Sequence, residues 1–512
     1  MESLIFLTEK KGGKVKTRLV ANGSTQRSYM NKEDTSSPTA STEAILITGT
    51  IEAKQGRDIM TNDIPNAFVQ TTIDQSEAKE KTIMKIRGTL VDILVEISPE
   101  TYSNYVYYEN GQKVIYVNML KALYGMLISS MLYYKKFRKD IEGIGFKINP
   151  YDACVANRIV NGHQQTVVWH VDDLKSSHID PKVNDEFEKW LEKTYGNDNI
   201  GHVTTTRGKV HSYLGMKLDY SSPGVLKVDM KDYIDEMIRE FPETLSRNPK
   251  TPWTEKLFKV DKTSNILSKT KQELYHSFVM KAMFLCKRGR PDISPAIGYL
   301  STRTSCSTES DWAKLVRVMN FLKATQKEIL TLEADDRQTL VWYIDAAYAV
   351  HDDMKSHTGS NFTLGKGMIT SDSTKQKVNA RSSTEAELIG VDDKVSKVIW
   401  TKKFIEAQGF QVKTNIVYQD NTSTIKMEEN GKSSTGRRTR HYDIKLFYIT
   451  DLVGRGEIEI EYCPTGDMLA DYMSKPVVGT KLKKFRDLIM NLSNQNLPMS
   501  SRSLLDIKQI TG

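Results

Sequence analysis

Residues 166–178, TVVWHVDDLKSSH, restrict the possible folds more than any other stretch of the chain. Residues 166–169 form a short apolar run of β-branched and aromatic side chains, which predicts a buried strand. The run ends in Val171-Asp172-Asp173, and the polar Lys175-Ser176-Ser177 follows. Two adjacent carboxylates at the end of a buried strand are costly unless a cation balances them. Successive strand side chains point to opposite faces, so a tight hairpin has to hold both acids out at its tip. Hard divalent cations take carboxylate oxygens and are the natural counter-charge. Taken alone, such a pair is more simply a solvated Asp-Asp turn, so the other acids of the chain decide.

At 512 residues the chain is expected to hold three or four domains. Its 39% hydrophobic and 27% charged residues are ordinary for globular protein, and a net charge of +8 is compatible with nucleic acid without pointing to it. Cys154, Cys286, Cys306 and Cys463 are scattered with no CxxC pair, which argues against a zinc site or a disulfide framework. Residues 1–7 lack the pattern of a signal peptide, and no run approaches membrane-spanning length. A soluble intracellular protein is expected.

Along the chain, residues 10–23 read as a Gly-Gly turn and a basic strand, with Lys14, Lys16 and Arg18 on one face. Such cations suit phosphate contact, or a plain solvated face. In residues 56–70, Ile59, Thr61 and Asp63 share a face of a strand that Pro65 ends. Asp63 alone would be a cap or a turn residue. It lies 109 residues (172 − 63) before Asp172, far enough to return in the same sheet. Residues 118–137 predict a loop entering an amphipathic helix near Gly125, and 182–195 a helix whose Val183, Phe187, Trp190 and Leu191 are core. A strand pair and a helix are expected over 211–242, then a polar linker over 243–272, and helices over 273–286 and 309–330.

From about residue 336 the pattern changes. Residues 338–345 predict a strand ending in Asp345, and 360–370 a hairpin about Gly365-Lys366-Gly367. Residues 382–409 predict a long helix opened by a Ser382/Glu385 capping box and stopped by Gly409. Residues 415–420 predict a buried strand ending in Asp420, followed by a helix from Thr422, a strand over 457–463 and a helix over 466–475 that carries Asp467 and Asp471. Glu387 shares its helical stripe with Val391, Val395 and Val398 and so faces inward, whereas Glu385 serves the cap. An inward carboxylate beside two strand-end aspartates repels them unless a divalent cation sits among them. Four acids from successive elements, Asp345, Glu387, Asp420 and Asp471, are hard to read as accident.

The ordered motifs RLVANGSTQ, DIPNAFVQ, LKALYG, HVDD, YLGM, RPDIS, SSTEAE, YQDN and PTGDMLADYMSKP cover roughly residues 14–490. In this order the chain resembles the reverse transcriptase and ribonuclease H portion of a copia-type long-terminal-repeat retrotransposon polyprotein. The resemblance implies an α+β multidomain fold, a right-hand polymerase (fingers, palm, thumb) followed by a ribonuclease H-like α/β domain. The expected divisions are fingers and palm over 1–220, a mostly helical thumb and connection over 221–335, the ribonuclease H-like domain over 336–490, and a disordered tail over 491–512.

The same resemblance implies that Asp63, Asp172 and Asp173 are the polymerase carboxylates, and Asp345, Glu387, Asp420 and Asp471 the ribonuclease H acids. Each set would hold two Mg²⁺ ions about 3.5–4 Å apart, with Mn²⁺ as a substitute. Lys16 and Arg18 match the positions that touch triphosphate, Tyr124 and Gly125 the loop under the incoming base, and Phe68 the residue that blocks a ribose 2′-hydroxyl. Implied partners are an RNA template, a DNA primer, their hybrid, dNTPs and other polyprotein products such as integrase and capsid, but no membrane. The implied location is the cytoplasm within a virus-like particle, or the nucleus. His170 stands where the family has Tyr, residues 126–131 (MLISSM) replace a Lys-Gln-Ala-Pro-Arg run, and the N-terminal part of the fingers is expected to be missing. Two other readings stay open: a relic that only binds nucleic acid, and a chain that keeps ribonuclease H activity alone.

Overall fold

The computed structural model describes residues 1–9, 13, 15–28, 30–73, 82–335, 338–431 and 443–492. The expected tail beyond residue 492, like Lys14 and the side chain of Lys16, lies outside the described residues. Contacts divide the chain into two compact units: Met1–Ala40, Met60–Ile148 and Ala153–Thr206 in the first, and Ser41–Ile59, Asn149–Asp152 and Arg207 onward in the second. Both are mixed α and β, as the expected multidomain α+β class requires.

The strands of the first unit, a few running slightly past its bounds, are β1 (Glu2–Glu9), β2 (Val15–Asn22), β3 (Asp58–Asp63), β4 (Ile83–Arg87), β5 (Tyr107–Glu109), β6 (Gln112–Asn118), β7 (Lys147–Asn149), β8 (Asp152–Val160), β9 (His163–His170), β10 (Asp173–His178) and β11 (Thr204–Gly208). They form two sheets, in the orders β2-β1-β4-β6-β5 and β11-β3-β10-β9-β8-β7. The apolar run 166–169 becomes the buried part of β9, and His170 pairs with Asp173 across a two-residue turn. Val171 takes a left-handed φ of 59°, which closes that turn. Behind the sheet, the helix Pro181–Tyr195 starts at an Asp180 cap with Pro181 in its first turn, and buries Val183, Phe187, Leu191 and Tyr195. The helix expected to be entered near Gly125 begins at Ser129; Gln112–Asn118 completes a strand, and the loop between them is held by backbone hydrogen bonds to Thr71, Ile73, Thr82, Ala21 and Gly23.

The second unit adds β12 (Val210–Tyr213), β13 (Met216–Asp219), β14 (Val225–Asp229), β15 (Leu330–Ala334), β16 (Thr339–Ala347), β17 (His357–Thr363), β18 (Gly365–Lys366), β19 (Thr370–Lys375), β20 (Thr414–Gln419) and β21 (Glu459–Tyr462). One sheet runs β12-β13-β14-β15-β18, the other β19-β17-β16-β20-β21. In the latter, β16, β20 and β21 are parallel, while β17 and β19 extend it antiparallel. Residues 221–335 and those from 338 on share this one unit, because β14 and β18 both pair with β15.

The expected linker over 243–272 is packed structure. Leu245, Trp253, Leu257, Phe258 and Leu267 are buried, and the Trp253 indole donates to the Val477 carbonyl at 2.8 Å. Its prolines and polar residues mask apolar anchors spaced too irregularly to show a period. The long helix Ser383–Ala407 appears as expected, with the Ser382 hydroxyl accepting from the Glu385 amide. Glu385, however, reaches back to the Arg381 N–H rather than to that of Ser382. The helix expected over 466–475 shrinks to Asp471–Ser474.

Candidate active sites

The first acidic centre lies in the first unit. Asp63 closes β3 where Pro65 ends the ladder, and Asp172 and Asp173 occupy the β9–β10 tip. The two meet through the backbone, where the Ile64 N–H donates to the Asp172 carbonyl at 3.3 Å. Asp173 is held above the usual carboxylate range by burial, and further by the charges of Asp172 and Asp63. The Tyr124 hydroxyl lies 3.4 Å from an Asp172 carboxylate oxygen, and burial together with that carboxylate pushes its pKa up to about 12. Phe68 packs on the Tyr124 ring at 4.5 Å between centroids and edge-on to the buried Tyr133 at 6.2 Å.

Gly125 is a glycine for a geometric reason. Its φ is +89°, and a Cβ there would sit 2.1 Å from the Ala21 carbonyl oxygen and 2.4 Å from a Val20 methyl. The 124–125 loop is thus clasped against β2 and the turn after it: the Ala21 N–H donates to the Tyr124 carbonyl at 2.8 Å and the Gly23 N–H to the Gly125 carbonyl at 3.2 Å. The buried Gln26 carboxamide accepts from the Leu127 N–H at 2.9 Å. Arg18, exposed on β2, is close enough to Tyr124 to oppose the effect of the acids on it. The replaced run at 126–131 fits its surroundings, since Met126 joins a core of Ala21, Ile73, Met84, Ile86, Val91 and Ile115.

The second centre lies in the second unit. Asp345 sits on β16, fully buried, opposite Gly359 of β17. Glu387 comes from the long helix and accepts the Ala346 N–H at 2.9 Å. Asp420 follows directly on β20 and accepts from the Thr465 hydroxyl at 3.1 Å. Each offers an oxygen, and the three oxygens lie within 4.8 Å of one another. Among the described residues no other three acidic, histidine or cysteine side chains come that close, the tip at 172–173 included. Burial, with Asp471 and Asp420 adding to it, lifts Asp345 to about 6 against the pull of Lys475. Burial and the charges of Asp345 and Asp420 hold Glu387 far above its usual range.

Asp471, the fourth expected acid, stays outside this trio. It is paired with Lys475 and with Lys481 at 2.5 Å, so its charge is already answered by cations. Lys475 also reaches Asp345 at 3.2 Å, and the Ser474 hydroxyl donates to the same carboxylate. Gly359 makes this possible: a Cβ there would lie 2.5 Å from the Ala470 carbonyl and 2.6 Å from the Ser474 amide nitrogen, so only glycine lets the Asp471–Ser474 helix cross β17 beside Asp345. Sequence reasoning assigned no role to Ser474, Lys475 or Lys481. The Asp471/Lys475 spacing of four was the available signal.

Both donor sets are carboxylates only, the hard oxygen ligands that divalent cations such as Mg²⁺ take. At the second centre a cation would also relieve the repulsion that holds Asp345 and Glu387 toward their protonated forms.

Residues 5–256 match the family of reverse transcriptases (RNA-dependent DNA polymerases). The chain is 24% identical over 486 residues to the retrovirus-related Pol polyprotein from transposon TNT 1-94 of Nicotiana tabacum, covering 94% of this chain and 34% of that one. It is 26% identical over 487 residues to the corresponding polyprotein from transposon RE1 of Arabidopsis thaliana, covering 93% of this chain and 30% of that one. It therefore spans about a third of the length of these curated relatives. Among solved structures it is similar to a foamy viral protease-reverse transcriptase in complex with double-stranded DNA, at 12% identity and a TM-score of 0.48, covering 91% of this chain and 66% of that one. No helix among the described residues is long and apolar enough to cross a membrane.

Proposed function

This chain belongs to the copia-type retrotransposon reverse transcriptases, and on that premise we propose that it copies RNA into DNA at the first centre and cuts the RNA of the resulting hybrid at the second. The observation that carries the reading is the meeting of Asp63 with the 172–173 tip beneath Tyr124 and Phe68, since it gathers carboxylates and an aromatic floor in one place. Asp63, Asp172 and Asp173 would hold the metal at the first centre, and Asp345, Glu387 and Asp420, with Asp471 beside them, at the second. When bound, a divalent pair supplies at either centre a lowered pKa at the attacking oxygen and neutralises charge on the departing one.

The protein's own residues do the rest. The Tyr124–Gly125 loop, clasped to β2, forms a rigid floor for an incoming deoxynucleotide, and the Phe68 ring fills the space a ribose 2′-hydroxyl would need. Arg18 on the neighbouring strand, and Lys16 with it, supply positive charge for the triphosphate. At the second centre Ser474 and the Ala346 N–H orient Asp345 and Glu387. Recognition of a hybrid there would rest on the 2′-hydroxyl and on helix shape.

Purified protein tests this with two substrates, a primed homopolymer RNA for extension and a labelled RNA–DNA hybrid for cleavage, each with Mg²⁺ or Mn²⁺ and with chelator. Metal-dependent extension and cleavage are both expected. Cleavage without extension would reduce the function to ribonuclease H, and binding with neither activity would leave only a nucleic-acid-binding protein.

A further inference from the structure

Beside the acids, the second unit holds a chain of buried hydrogen bonds that the proposed chemistry leaves unused. His351 Nε2 lies 3.0 Å from His357 Nδ1, and His357 Nε2 lies 2.7 Å from Ser373 Oγ. The Ser373 hydroxyl donates to the Met473 carbonyl at 2.7 Å. All four residues are buried. We infer that His357, with His351 and Ser373, is a positioning relay that fixes the Met473 carbonyl and thereby sets Ser474 on Asp345, an inference that rests on the reading of the second centre as a ribonuclease site.

The direction of the relay follows from its last link. Ser373 gives its only proton to the Met473 carbonyl, so it must accept from His357 Nε2–H. His357 Nδ1 is then an acceptor, and His351 Nε2–H has to donate to it. Both rings are neutral in this arrangement, which suits their surroundings. Phe258 packs 4.7 Å from His357 and 5.0 Å from His351, and Tyr299 lies parallel to His351 at 6.2 Å. Burial depresses both imidazoles below their usual range; Lys375 and Lys259 push His351 the same way against Asp352 and Asp353, and Lys394 and Lys375 do so at His357.

An aliphatic pair would fill this aromatic wall without the cost of burying two imidazoles. What the imidazoles add is one directed path. It runs from the 348–356 loop that follows the Asp345 strand, across β17 and β19, to the helix Asp471–Ser474. That helix is only four residues long, too short to fix its own position, so the contacts that tie it to its neighbours help to place it. Asn361 supplies a second one by donating to the Leu469 carbonyl at 3.0 Å. Met473 directly precedes Ser474, whose hydroxyl holds Asp345. A shift at the carbonyl is passed to the acid trio through one peptide unit.

The test uses the full chain with His357→Leu, His357→Gln and Ser373→Ala. Partners one shell out from a metal ligand, as Ser474 is to Asp345, typically change activity or metal affinity by about 10–100-fold, and His357 and Ser373 act on Ser474 at a further remove, so the lower end applies. His357→Leu and Ser373→Ala are therefore expected to lower kcat for hybrid cleavage about tenfold and to raise the Mn²⁺ concentration at half-saturation, read by calorimetry, with KM for the hybrid and primer extension unchanged. His357→Gln, which can donate to Ser373 and accept from His351, restores most of the rate. Hydrogen exchange at the Ser474 and Lys475 amides, which donate to Ala470 and Asp471 at 3.0 Å, is expected to quicken in Leu and Ala variants. Unchanged exchange, or wild-type cleavage and metal binding in both variants, overturns the relay. If the unaltered protein cleaves no hybrid, the ribonuclease reading falls, and exchange at these two amides still decides the relay.

Discussion

Replacing Asp345 with Asn should stabilise the metal-free protein while destroying hybrid cleavage. The carboxyl is fully buried beside Glu387, Asp420 and Asp471, and its pKa is raised from 3.8 to about 6. Since the folded-state value lies above the unfolded one, the folded protein holds the extra proton between roughly pH 4 and pH 6. Stability is therefore full below the unfolded value and is lost as pH rises through the folded one. The shift corresponds to roughly 3 kcal/mol at about 1.36 kcal/mol per unit. Asparagine keeps an acceptor for the Ser474 hydroxyl and gives up the ion pair with Lys475, which retains Asp471. Because that shift already includes the pull of Lys475 on the charged form, the variant gains about 3 kcal/mol at pH 8 in chelator, a rise in Tm of a few degrees. Thermal unfolding at pH 4.5 and pH 8, with EDTA and with Mg²⁺, measures it. The advantage of asparagine should fade at the lower pH and shrink when Mg²⁺ stabilises the wild type alone. An asparagine variant no more stable than wild type at pH 8 in chelator, or a difference independent of pH, would refute the view that like charges strain this centre.

Further outcomes are expected of the two centres. Asp172→Asn should reduce primer extension by about 10³-fold, the scale of a lost transition-state contact, and leave hybrid cleavage at the wild-type rate; equal extension by the two proteins would remove Asp172 from the first centre. Phe68→Ala opens the space beside Tyr124, so ribonucleotide incorporation relative to deoxynucleotide should rise about tenfold or more in single-nucleotide extension. Gly125→Ala adds a Cβ 2.1 Å from the Ala21 carbonyl at a left-handed φ. It should cost about 3 kcal/mol, seen as a lowered Tm together with a raised KM for dNTP.

The acids that could be read from sequence are those at strand ends. Asp63 closes β3, and Asp172 and Asp420 follow β9 and β20, so a strand end fixes where each side chain goes; Asp345, expected at the end of its strand, lies within it, because β16 runs on to Ala347 in pairing with β17. Glu387 was legible for a related reason, since its stripe with Val391, Val395 and Val398 gave its direction. Asp471 was placed on a longer helix than exists, and its two lysine partners went unread. The segment 243–272 reads as a linker from its polar residues and from Pro249 and Pro252, while its buried anchors, Trp253 among them, follow neither helical nor strand spacing.

What remained hidden is of one physical kind. Gly125 against the Ala21 carbonyl, Gly359 under the Asp471–Ser474 helix, and the His357–Ser373–Met473 path are close approaches between segments far apart in sequence. Periodicity reports which way a side chain points; it does not report what backbone will lie 2.5 Å from a missing Cβ. Yet these contacts decide whether the acids can work. A carboxylate at a strand end needs only its own strand to be presented, but three of them within 4.8 Å repel one another unless the surrounding chain is fixed. At the second centre Ser474, the Ala346 N–H and the glycine crossing do the fixing. At the first, the clasp of Tyr124 and Gly125 on β2 holds the floor above the tip. Gly359, to which the sequence assigns no role, and Gly125, whose place under the incoming base says nothing of the Ala21 carbonyl behind it, are therefore as decisive for the two centres as the aspartates.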